Sequence, residues 1–361
     1  MTWRSGLIDR RGFLRAAGVA FAATLSPRSL MALERADAVY ASGFRAADGS
    51  FGIATVSERG EIVDRMPLPA RAHGMAYSPV SRRAVAFARR PGTFAMAFHP
   101  NRSGDPVMIT VPEGRHFYGH GAFSPDGHFL YTSENDFDGN RGMIGVYDAN
   151  DGFARIGEFA AQGIGTHDMT VSDDGRTLVV ANGGIETHPD FGRTKLNLDR
   201  MEPSLVLLDA RDGRLIQKHA LPASLRQLST RHLAIGDKGR IWFAGQWEGA
   251  RNALPPLVGR VSPGEDIGFV SLPERITDGL ANYVGAIAVN RRDGIVGLTS
   301  PKGGLAVSLD ARTGAVLREE RIPDAAGVAP AGHGIAVSSY DGRFNETRSG
   351  VAWDQHIIRL Q

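Results

Sequence analysis

Short apolar stretches of about five residues, separated by clusters of Gly, Pro, Asp and Asn, run from residue 38 to the end of the chain. Runs of that length bounded by turn residues predict β-strands, and none shows the 3.6-residue repeat of a helix. The strands come in groups of four. From His120 they are His120–Phe123, Phe129–Ser133, Met143–Tyr147 and Arg155–Phe159. From Val284 they are Ala286–Val289, Ile295–Thr299, Leu305–Leu309 and Val316–Arg321. The first strand of the His120 group runs into Ser124-Pro125-Asp126-Gly127. There proline fixes φ, aspartate offers a side-chain acceptor and glycine takes φ > 0, which makes a tight turn. Third strands end alike, in Asp148-Ala149-Asn150-Asp151-Gly152 and Asp310-Ala311-Arg312-Thr313-Gly314.

The groups repeat. His73-Gly74-Met75-Ala76-Tyr77-Ser78-Pro79 lies 47 residues before the His120 copy (120 − 73), and His167-Asp168-Met169-Thr170-Val171-Ser172 lies 47 after it (167 − 120). Weaker copies begin at His232, Val284 and His333. Four short strands per period of this length predict an all-β fold, a single β-propeller of four-stranded blades. Residues 38–67 supply three strands that match the second to fourth of a unit. The His333 copy is expected to donate the missing first strand, so that the two termini share one blade and leave no open edge. The motif count then gives six blades. The tail from Gly342, with Gln355-His356-Ile357-Ile358-Arg359-Leu360, is unassigned, and the ring has seven if it adds more blade.

Residues 1–36 change the reading of charge. Asp9-Arg10-Arg11-Gly12-Phe13-Leu14-Arg15 followed by an apolar run to Leu25 resembles a twin-arginine export signal, and that run is too short to span a bilayer. The expectation is a signal peptide over 1–36, a propeller domain over 37–361, and export of the folded protein to the periplasm. The chain carries +2 overall, and residues 1–36 hold six Arg against Asp9 and Glu34, so the remainder is near neutral at 2 − 4 = −2. That balance, with no basic groove interleaved with aromatics, argues against nucleic-acid binding. The chain has no cysteine, which excludes disulfides, thiolate metal sites and covalent c-type haem. No second apolar run is long enough for a membrane span.

With these motifs in view, the repeat resembles the YVTN-type, WD40-like propeller unit. The whole chain, with its His-Gly repeat openings and twin-arginine signal, resembles the DUF1513 family. That resemblance implies the propeller fold. It also implies a link to periplasmic iron-uptake proteins of the imelysin type as partners, and hence a role in iron uptake or handling.

Strand chemistry explains the turn that ends each copy but not the histidine that opens it. The first strand of every blade lines a propeller's channel, so His73, His120, His167, His232 and His333 are expected to converge as a metal-ligating ring. Imidazole suits iron, copper, zinc and nickel; iron and copper are favoured here. Met75 and Met169 share a strand face with two of these histidines and could add thioether ligands. Second strands end on the same face, where Arg89, Arg90, Glu134, Asn135, Asn182, Glu186, Gln246 and Glu248 make a polar crown. Glu134, Asn135, Asn182, Glu186 and Gln246, with Arg231 from just before a repeat opening, are expected to surround a small-molecule or metal ligand. Arg71 and Arg115 precede repeat openings and would draw anions to the mouth. The insertion Ile185–Pro203 is expected to form a lid or partner contact. Two alternatives stand beside the metal site. One is a lactonase-like, metal-dependent hydrolase using the crown carboxylates. The other is a non-catalytic scaffold whose histidines merely tie blades together.

Overall fold

The structure is a computed structural model that describes residues 37–361; the proposed export signal lies outside the described residues. Seven four-stranded antiparallel sheets are arranged as the blades of a propeller. Numbered from the N-terminal strand, their inner strands are Val351–Arg359, Ala72–Ser78, Arg115–Phe123, Thr166–Val171, Leu228–Ile235, Ala286–Asn290 and Ala325–Pro330. The four strands expected from His120 and from Val284 are blades 3 and 6, in the expected order.

Blade 1 closes the ring. Its second to fourth strands are Tyr40–Ala46, Phe51–Val56 and Ile62–Leu68, and its inner strand comes from the C-terminus, pairing Tyr40 with Arg359 and Ala46 with Val351. The tail is therefore the donated strand, and the seventh blade follows from that. The His333 copy does not fill this role. Ile335–Ser339 is the second strand of blade 7, and its inner partner is Ala325–Pro330. Both strands are short and apolar, and such a pattern does not distinguish an inner strand from its buried neighbour.

Each inter-blade interface has its own apolar cluster. Blades 1 and 2 pack Ile53 and Met66 on Met75 and Met96, and blades 3 and 4 pack Ile144 and Val146 on Leu178 and Val206. At the closing seam Trp353 is fully buried against Phe344, ring centroids 5.2 Å apart, in a cluster with Tyr40 and Ala336. Because every blade buries both faces, the strands read as near-continuous apolar runs rather than alternating ones.

Candidate metal centre at the hub

Six of the seven inner strands pair unevenly with their neighbours, and five of these irregularities fall at histidines; the sixth lies between Ala325 and Val328 in blade 7. Register shifts occur between Ala72 and Met75, Phe117 and Gly121, Thr166 and Asp168, and Thr230 and His232. In blade 1 the shift lies between the pairs Ser42↔Ile357 and Phe44↔Trp353, the stretch that holds His356. Bulges re-aim side chains and are enriched beside functional sites. Blade 6 pairs without a shift and has no histidine there. The glycine after the first histidine is also explained: a Cβ on Gly74 would stand 2.4 Å from the Gly119 carbonyl oxygen, so only glycine lets these two inner strands approach.

Five imidazoles meet in the channel: His73, His120, His167, His232 and His356. All are buried except His356, which is half-buried. His120 is central, with ring centroids 4.8, 5.2, 5.4 and 4.7 Å from those of His73, His167, His232 and His356. Two trios have ligand nitrogens within 4.8 Å of one another, His73–His120–His356 and His120–His167–His232, and they share His120.

Six ring nitrogens are buried without a hydrogen-bond partner in the protein: His73 Nδ1, His120 Nε2, His167 Nε2, both nitrogens of His232, and His356 Nε2. Each such group costs about 1–3 kcal/mol. Six together would rival the roughly 5–15 kcal/mol net stability of a folded protein, a cost that hydrogen-bonding or coordinating partners in the channel would relieve. Among the described residues no imidazole of the five bonds to a neighbouring blade's backbone, the contact that a merely ring-tying role requires. Burial pushes His73, His167, His232 and His356 well below the usual imidazole range, and neighbouring imidazoles and arginines add to the effect. They are neutral near pH 7, with lone pairs available.

Asp168, the residue after His167, faces this cluster. One oxygen lies 3.3 Å from His120 Nδ1 and the other 3.9 Å from His232 Nδ1. The amides of Met169 and Leu233 donate to the carboxylate at 2.8 and 3.0 Å and fix it. A carboxylate beside Nδ1 favours the tautomer protonated there and leaves Nε2 of His120 free to coordinate.

The imidazole layer divides the channel. Below it, a cavity of about 310 Å³ is lined by His120, His232, His356, Asp168, Met75 and Met169. Above it, a chamber of about 230 Å³ is lined by His73 and His167 together with Arg89, Arg90, Arg193, Lys195, Arg231 and Lys302. Desolvation lowers the guanidinium of Arg90, with Arg231 adding repulsion. It also pushes that of Arg193 to about 10, with Arg89, Arg90 and Arg231 adding theirs.

The remaining sequence candidates are distributed unevenly. His333 is 82% exposed, near Asp293 at 3.8 Å on the loop before Ile335, and lies outside the cluster. His356 takes the place expected for it; the signal was the apolar run that follows it. Of the six residues expected around the ligand, Arg231 and Gln246 line the upper chamber, as do Arg89 and Arg90 from the crown. Glu134 is instead buried within blade 3, accepting from Arg155 at 2.7 Å, Thr132 at 2.8 Å and Tyr147 at 3.0 Å. Asn135 bridges His116 and the Thr187 carbonyl, and Asn182 accepts from Thr166 and donates to the Ala161 carbonyl. Glu186 lies on the insertion, 3.6 Å from Arg200. Arg71 is held by Asp354 at 2.8 Å and Arg115 by Glu158 at 3.2 Å. Arg193, Lys195, Lys302 and Asp168 were not singled out in the sequence as facing the hub ligand, because three different elements bring them there.

A family model described as "Protein of unknown function (DUF1513)" matches residues 66–360. The chain belongs to the DUF1513 family. No curated protein sequence matches it. Among solved structures, this DUF1513 protein is similar to hydrazine synthase of Kuenenia stuttgartiensis, with a TM-score of 0.61 and 15% identity over 85% of this chain and 89% of that one. It is also similar to a chain of a nidogen/laminin complex, with a TM-score of 0.52 and 10% identity over 89% of this chain and 98% of that one. At such identities the likeness extends to the fold. Among the described residues no helix is long and apolar enough to cross a membrane.

Proposed function

We propose that this protein binds a first-row transition-metal ion at the hub, through His120 and one or both of its flanking histidine pairs. The observation that carries the reading is the convergence of five bulge-borne imidazoles whose buried nitrogens have no hydrogen-bond partner in the protein. All-nitrogen sets of this kind suit iron, copper, zinc and nickel better than magnesium or calcium. A metal–nitrogen bond of about 2.1 Å places tetrahedral ligands about 3.4 Å apart, so each trio would draw in slightly around an ion. Asp168 would hold the His120 tautomer, and the chambers on either side would leave coordination positions open to a small ligand.

The association of related proteins with periplasmic iron uptake makes iron the first metal to test, with export to the periplasm as the matching location. The hydrolase reading draws less support, because Glu134 and Asn182 are committed to contacts within their own part of the propeller. The test is metal content and titration calorimetry on chelator-treated protein reloaded separately with Fe(II), Cu(II) and Zn(II). Stoichiometric binding of at least one metal is expected, and binding far below one ion per chain for all three would overturn the reading.

A further inference from the structure

The upper chamber collects six cationic side chains from four separate elements. Arg89 and Arg90 follow the second strand of blade 2, and Arg193 and Lys195 sit on the blade 4 insertion. Arg231 lies on the inner strand of blade 5, and Lys302 follows the second strand of blade 6. No carboxylate lines the chamber. Glu248 stands beside it and pairs with Lys195 and with Arg231, the latter at 3.3 Å. Against one such carboxylate the six cations leave a surplus of 6 − 1 = +5. Among the described residues none of Arg89, Arg90 and Arg193 has a carboxylate partner.

Two further observations point to a ligand. Arg231 is 7% exposed, yet its Nε has no partner, and the buried Nε of Arg89 has none either. The floor is formed by His73 and His167, whose Nδ1 and Nε2 are likewise unpartnered. Like charges held together in a partly desolvated cavity repel strongly, and a fold gains nothing from such an assembly unless an anion occupies it. Guanidinium forks match the paired oxygens of carboxylates and phosphates.

We infer that this chamber binds a small, multiply charged oxyanion, bearing carboxylate or phosphate groups, directly above the histidine cluster. About 230 Å³ admits an anion of citrate or phosphate size. A wider recess of about 710 Å³ shares Lys195, Gln246 and Lys302 with the chamber and presents Trp247 and Leu254, so it offers room for the remainder of a larger ligand. The insertion Ile185–Pro203 closes over the site by supplying Arg193 and Lys195. The inference does not require the metal, although an anion seated there would reach any ion held by His73 or His167.

The test is calorimetry on the chelator-treated full chain with citrate, inorganic phosphate and acetate. Citrate or phosphate is expected to bind at least about tenfold more tightly than acetate, and at least about tenfold more weakly when salt is raised from low to several hundred millimolar. Arg193→Gln, on an exposed loop where folding is not at stake, should weaken binding by about three- to tenfold. The double variant with Arg90→Gln should weaken it further, whereas Arg200→Gln on the same insertion should not. Preference for phosphate over citrate assigns a phosphoryl ligand, and the reverse assigns a polycarboxylate. Absence of binding by both, parity with acetate, or indifference to the double variant overturns the inference. Because metal is absent throughout, this outcome is separate from that of the metal test.

Discussion

Replacement of His120 by alanine probes the hub most sharply, because its ring touches all four other imidazoles and belongs to both trios. Structural zinc sites are worth about 10–16 kcal/mol over four ligands, or roughly 2.5–4 kcal/mol per ligand. Loss of one ligand should therefore weaken binding by about 10²- to 10³-fold. The metal-free protein should change little. The lost imidazole contacts and the removal of the unpartnered Nε2, worth about 1–3 kcal/mol, act in opposite directions.

Unfolding entropy of about 2.1 cal/mol/K per residue over 325 described residues (361 − 36) makes 1 kcal/mol worth about 1.5 °C in Tm. Metal at about 100 times its Kd adds about 2.7 kcal/mol, so the parent should gain about 4 °C. At the same concentration a hundredfold weaker variant gains less than about 1 °C. Thermal unfolding by circular dichroism, with and without metal, reads both quantities. His73→Ala and His167→Ala each leave one trio whole, and the one that keeps the metal shift identifies the occupied trio. A His120→Ala protein that folds normally and keeps the full shift would refute the reasoning.

Asp168→Asn keeps the shape but removes the charge beside His120 Nδ1, and should lower metal affinity by about 10–100-fold in titration calorimetry. Trp353→Ala empties a fully buried site at the closing seam. It should cost about 3–5 kcal/mol, a fall of roughly 5–8 °C in Tm. Glu58 accepts from the Gly332 amide at 2.8 Å and from Tyr40 at 2.9 Å, and pairs with Arg359 at 3.2 Å, across the seam between blades 7 and 1. Partial burial raises its pKa, but these partners outweigh burial and hold it below the usual 4.5. A depressed folded-state pKa contributes stability above about pH 4.5, and that stability fades as pH falls through the folded value. Glu58→Gln should accordingly destabilise the protein at pH 7 by about 1 kcal/mol or less, given its exposure. The difference from the parent should shrink steadily in chemical denaturation as pH falls below about 4.5 through the folded value; a constant difference down to acid pH would contradict the assignment.

Local chemistry determined much of this protein. Turns such as Ser124–Gly127 use residues whose φ preferences act within four positions, so the strands, their grouping by four and the propeller could be read from the chain alone. The histidines at four blade openings were legible for a related reason: a repeat places equivalent residues at equivalent radius. That the two termini share a closing blade was legible, but the strand that donates it, and with it seven blades instead of six, was not, because this depends on which strand pairs with which across more than 300 residues, as Tyr40 does with Arg359. His333 and His356 both precede apolar runs, and only pairing separates the exposed loop residue from the hub ligand. The crown divided for the same reason. Strand alternation carries no record of which neighbour a polar end meets, so Glu134 turned to Arg155 while Arg231 joined cations from distant blades. Residue spacing set the ring of imidazoles; tertiary packing alone set the carboxylate that orients them and the charge that stands above them.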